Sequence, residues 1–136
     1  MVTLTISEIA FWEDIQRVNV VSTANDNVGA RLVYYIKEGL RNSKGVPLDD
    51  ANNSLYTMSL VTMDPNRNDP NKNGISTIYS VVWTVSTLNM AIMKLEPVML
   101  THSVGVCGAS QVKACADNLV ADTDKVASDN RKSYSK

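Results

Sequence analysis

Ile75-Ser-Thr-Ile-Tyr-Ser-Val-Val-Trp-Thr-Val-Ser-Thr87 decides the fold, because this stretch can be read at two periods. At helical spacing Ile75, Ile78, Val82 and Val85 share one face. Yet eight of the thirteen positions are Ile, Val or Thr, and Tyr79 and Trp83 stand among the rest. Branching at Cβ restricts χ1 in a helix and suits a pleated surface, so a long strand is expected.

Outward from it, Leu55–Met63 is strand-like as well. Between the two lies a tandem pentapeptide, Asp64-Pro65-Asn66-Arg67-Asn68 then Asp69-Pro70-Asn71-Lys72-Asn73, closed by Gly74. Its prolines lack donors and its asparagines favour turns, which makes it a loop. Arg31-Leu-Val-Tyr-Tyr-Ile-Lys37 is dominated by β-formers and reads as a third long strand, joined to the next by the turn-rich connector 40–53. Val2–Ile6 alternates at period two, Glu8–Gln16 is open between a helical turn and an extended piece, and Arg17–Ser22 is a short strand. Ala24-Asn-Asp-Asn-Val-Gly29 is turn chemistry.

After Leu88 the texture changes to helix formers, Met90–Glu96, which Pro97 should stop. Gly105 and Gly108 punctuate a link. Ser110 then opens a second helix with Val112, Cys115, Leu119 and Val126 on one stripe, and from Ser128 a loose polar tail follows. The expected class is α+β in one domain, 1–136: short strands over 1–30, an antiparallel sheet over 31–88, two helices over 89–127 and the tail 128–136.

Each expected strand splits by face. Leu32, Tyr34 and Ile36, then Tyr56, Met58 and Leu60, then Tyr79, Val81, Trp83 and Val85 make a bulky apolar side. Arg31, Val33, Tyr35 and Lys37, then Thr57, Ser59 and Val61, then Ser80, Val82, Thr84 and Ser86 make a smaller, hydroxyl-rich and partly basic side. The bulky side needs helical cover, and a second copy supplying helices would complete it as a symmetric dimer.

Composition bounds the function. The 136 residues hold 44% hydrophobic and 20% charged side chains, an ordinary globular balance, with net charge −1. Nucleic-acid contact would need a local basic patch. No run of 18 apolar residues exists, and Met1-Val-Thr-Leu-Thr5 has no signal-peptide character. Two cysteines, eight apart, point to a reducing compartment, with Cys115 a buried small hydrophobe and Cys107 a free thiol.

The order of three long strands and two helices, carried by Arg31–Lys37, Leu55–Met63 and Ile78–Asn89, resembles the levivirus-type coat proteins of single-stranded RNA bacteriophages over about residues 31–127. The resemblance implies a non-enzymatic capsid subunit whose interlocked dimers close an icosahedral shell in the host cytoplasm and remain in the virion. It implies that the hydroxyl-rich side binds genomic RNA or a stem-loop, with Arg31 and Lys37 on phosphates and Tyr35 stacked on a base. The loop Asp64–Gly74 would then be an inter-subunit contact. No cofactor is implied.

Plainer readings stand beside these. The Arg31–Lys37 face reads equally as a solvated edge. Asp and Asn alternate in the 64–74 loop as calcium ligands do, although Arg67 and Lys72 interrupt them. His102 has no nucleophile pattern around it, and Asp49-Asp50 suits a turn. Two other architectures compete: a small α+β ligand-binding or enzymatic domain with an open sheet and a pocket under its helices, and an all-helical interaction protein.

Overall fold

The fold comes from a computed structural model that describes residues 16–89 and 91–134. Its elements run β1 (Val18–Ala24), α1 (Asn27–Arg41), β2 (Tyr56–Met63), β3 (Ser76–Asn89), β4 (Lys94–Gly108), a single 3-10 turn (Ala109–Gln111) and α2 (Val112–Tyr134). The strands form one sheet in the order β1-β2-β3-β4. β1 is parallel to β2, with Val18 opposite Tyr56, while β2–β3 and β3–β4 are antiparallel. The class is α+β as expected, but the sheet is mixed. The pattern at Val2–Ile6 lies outside the described residues.

Arg31–Lys37 is helix, not strand. Val28, Leu32, Val33, Ile36 and Leu40 are the buried apolar side chains of α1, at offsets 0, 4, 5, 8 and 12. A window that stops at Lys37 hides this period, because Val28 and Leu40 lie outside it. The supposed turn before it is the helix start: Asp26 is the N-cap, and its carboxylate accepts from the Gly29 N–H at 3.0 Å. Gly29 is there for space rather than for a turn. A Cβ at that position would lie 2.0 Å from Thr62 Oγ1 and 2.4 Å from Asp26 Oδ1.

Residues 94–108 form a strand rather than a helix and a link. Intrinsic preference of Met, Lys, Leu and Glu for helix is worth only tenths of a kcal/mol each, about 0.1–0.7. Pairing along the whole of β3 outweighs it. Pro97 is tolerated because β4 is an edge strand. Tyr79 lies across the pair from Gly105, and its ring fills the space a side chain there would need. One register shift, between Trp83 and Thr84, inserts Leu100 as an extra residue. β3 and β4 continue past β2 as a two-stranded ribbon.

α2 is the one C-terminal helix among the described residues, and it runs through the expected tail to Tyr134. Its buried positions are Val112, Ala116, Leu119, Thr123 and Ala127, while Cys115 and Val126 are only half-buried. Both helices pack on one side of the sheet against Tyr56, Met58, Leu60, Val81, Trp83 and Val85. The chain's own helices therefore cover its bulky face, and that removes the reason for an interlocked dimer. Cys107 and Cys115 form a disulfide, not a free thiol and a packed thiol. It ties the end of β4 to the first turn of α2, and closing a loop of 8 residues contributes roughly 2–3 kcal/mol in the chain-entropy picture.

Candidate functional site

With both helices on one side, the other side of the sheet is open. Alternation along β2 is unbroken: Tyr56, Met58, Leu60 and Thr62 are buried, whereas Thr57, Ser59, Val61 and Met63 face outward. Register extends that face across all four strands. One row is Val21–Ser59–Val82–His102, the next is Thr23–Val61–Ser80–Val104, and a third is Met63–Ile78–Val106. Asn19, Thr57, Thr84 and Met99 make the row on the other flank.

None of these positions is Asp, Glu, Lys or Arg. Apolar side chains are nonetheless well exposed, Val104 at 68%, Val106 at 66%, Met99 at 61% and Val61 at 55%. An apolar surface of this kind, interleaved with hydroxyls and free of charge, is the usual character of an interaction site rather than of bulk surface.

The expected RNA residues divide in a telling way. Thr57, Ser59, Val61, Ser80, Val82, Thr84 and Ser86 do come together on the open face. Arg31, Val33, Tyr35 and Lys37 do not, since they belong to α1 behind the sheet. Val33 is buried there, and Tyr35 packs against the core. Without Arg31 and Lys37 the four rows contain no Lys or Arg, and Arg67, bonded to Met63 Sδ at 3.1 Å, stands only at their margin, so the basic half of the RNA argument fails.

The Asp64–Gly74 segment is the β2–β3 hairpin loop. Asp64 is buried, and its carboxylate accepts from the N–H groups of Asn66 and Gly74, both at 2.7 Å. Those bonds organise the loop from within. Elsewhere Asp49 caps its own turn: the backbone N–H of Asp50 and the Arg17 guanidinium, 3.0 Å away, hold its pKa below the ordinary aspartate value.

A second feature escaped the sequence reading. A cleft of about 460 Å³ lies between edge strand β4 and helix α2. Trp83 and Leu100 belong to its apolar part, with Thr101, His102 and Ser103 along the strand side. Asp122, Lys125, Val126, Asp129 and Asn130 supply the helix side, at offsets 0, 3, 4, 7 and 8 on a single stripe. Its volume is that of a small-ligand or side-chain pocket. Only a recognised edge strand beside a helix could have revealed it, and β4 had been read as helix.

The sequence matches no family model and no curated protein. Solved structures do share the fold. A hypothetical protein from Chlamydia trachomatis aligns with TM-score 0.52 at 9% identity, covering 82% of this chain and 98% of that one. A protein of the DUF330 family from Xanthomonas campestris aligns with TM-score 0.55 at 6% identity, covering 86% of this chain and 88% of that one. At such identities the likeness shows the fold alone. A weaker likeness, TM-score 0.34 at 12% identity over 88% of this chain and 96% of that one, is to the rare lipoprotein B from Shewanella oneidensis.

The two structures that align above a TM-score of 0.5 are bacterial proteins, and neither is a phage coat protein. The coat-protein expectation is overturned by these two and by the topology, since the described residues contain a parallel β1–α1–β2 unit. Capsid assembly, the virion, the host cytoplasm and the RNA genome as partner fall with it. The all-helical alternative fails on the four-stranded sheet.

Proposed function

We propose that this chain is a non-catalytic protein-binding domain that works outside the cytoplasm and docks a protein partner on the open face of its sheet. The uncharged, half-apolar row structure of that face is the observation that carries the reading. A protein partner suits it better than a lipid surface for a chemical reason. Thr23, Thr57, Ser59, Ser80 and Thr84 are interleaved with the valines, and hydroxyls buried without partners cost free energy. Another protein can bond them, whereas hydrocarbon cannot. The rows themselves also contain no Lys or Arg to meet a phosphate headgroup.

The Cys107–Cys115 disulfide supports the compartment, since such bonds persist where the surroundings are oxidising.

A photo-reactive phenylalanine analogue placed at Val61 or Val104, in the organism that carries the gene, should cross-link to one discrete protein. The same analogue at Tyr34, exposed on α1, should not. In that preparation, iodoacetamide added before lysis should leave Cys107 and Cys115 unmodified. Equal cross-linking from both sides of the molecule, cross-linking to lipid only, or alkylated cysteines would overturn the corresponding part.

A further inference from the structure

We infer that the cleft between β4 and α2 receives an extended peptide segment of a partner, which adds to the sheet as a fifth strand and carries both apolar and basic side chains on the face it turns toward α2. This site shares strand β4 and His102 with the open face but takes its specificity from α2, and it is tested through α2 residues alone.

Three observations combine here. First, β4 ends the sheet, so among the described residues no further strand lies beyond its outer edge. An antiparallel run uninterrupted from Thr101 to Gly108 pairs with β3 on one side, leaving half of its backbone donors and acceptors pointing outward. That stretch contains no Asp, Glu, Lys or Arg to deter pairing, and it starts at the bulge around Leu100.

Second, the cleft opens directly alongside. An added strand points alternate side chains to opposite faces, so every second one would enter the space over Trp83, Leu100 and Val126. Backbone bonding to an edge strand, with pockets for alternate side chains beside a helix, is a general way for a sheet to recognise peptides.

Third, the rim has a sign. Asp122 and Asp129 stand one helical turn to either side of Lys125, two carboxylates against one ammonium, and all three are exposed. A Lys or Arg of the peptide would meet them, and an acidic residue would be repelled. The chemistry selected is therefore apolar in the cleft and basic at its mouth.

The test is a selection of random linear nine-residue peptides displayed on phage, with the whole folded chain as bait. Enriched peptides should place an apolar and a basic residue two positions apart, so that both fall on one face of the added strand. By fluorescence polarisation they should bind the Asp122→Lys, Asp129→Lys double variant at least ten-fold more weakly than the original. Both changes lie on the exposed helix surface and leave the core intact. A second variant, Val126→Trp, fills the cleft and should weaken the same peptides by a similar factor while leaving thermal stability within a few degrees. Absence of enrichment, enriched peptides without basic residues, or affinities equal for all three proteins would overturn the proposal.

Discussion

Trp83→Ala should destabilise the chain by about 3–5 kcal/mol, the range for deleting a buried aromatic. Trp83 is buried on the inner face of β3, opposite Met58. Its Nε1–H donates to Thr123 Oγ1 at 2.9 Å, and that hydroxyl donates to the Leu119 carbonyl at 2.7 Å. The indole thus joins sheet to α2 through both area and a hydrogen-bond chain. Thr123→Val keeps the shape but leaves the indole N–H without its partner, at about 1–3 kcal/mol. Ser80→Ala, on the open face of the same strand, should stay within about 0.5 kcal/mol of the original. Urea unfolding of the three variants checks the order. Equal midpoints for Trp83→Ala and Ser80→Ala would mean that the two faces of β3 have been assigned wrongly.

Asp26→Ala should cost about 2–3 kcal/mol, combining a lost N-cap with lost hydrogen bonds to a charged group. The Thr62 hydroxyl donates to Asp26 Oδ1 at 2.6 Å, and the Gly29 N–H donates to Oδ2 at 3.0 Å. Partial burial pushes the Asp26 pKa up, but these bonds outweigh it and hold the value below that of an ordinary aspartate. Because the folded pKa lies below the unfolded one, the stabilisation is complete above about pH 4. It is lost as pH falls through the folded value. Asp26→Asn, which still caps the helix, should remove this acid dependence while keeping much of the cap. Chemical unfolding of the original and of Asp26→Asn from pH 7 down to pH 2 tests it; parallel curves would contradict the assignment.

These two residues also mark where the sequence was legible. The faces of β2 and β3 could be read because period two is unambiguous in a run such as Tyr56–Val61, and Trp83 was placed correctly beneath helical cover. Asp26 was missed because the same Asn-Asp-Asn-Val-Gly chemistry serves a turn or a helix start. Only the apolar spacing that follows, Val28 to Leu40, separates the two. Residues 94–108 were misread for a different reason. Their local preference is weak, and what makes them a strand is the unpaired length of β3, a non-local fact. The open face was therefore half visible in Thr57, Ser59, Val61, Ser80 and Val82, but its edge and the cleft beside it were not. The disulfide escaped because a spacing of eight says nothing of a strand end meeting a helix start.

The central claim is that one side of this sheet is closed by the chain's own helices while the other is closed by a partner. Methionine oxidation reports it directly, because Met58 is buried under the helices, Met63 and Met99 lie on the open face, and Met93 is exposed on the ribbon. Brief peroxide treatment of the purified chain should oxidise Met63, Met99 and Met93 and spare Met58. In intact cells Met93 should remain reactive, while Met63 and Met99 are protected by the partner. Met63 and Met99 oxidised as readily in cells as in the purified chain, or Met58 oxidised alongside them, would contradict the account.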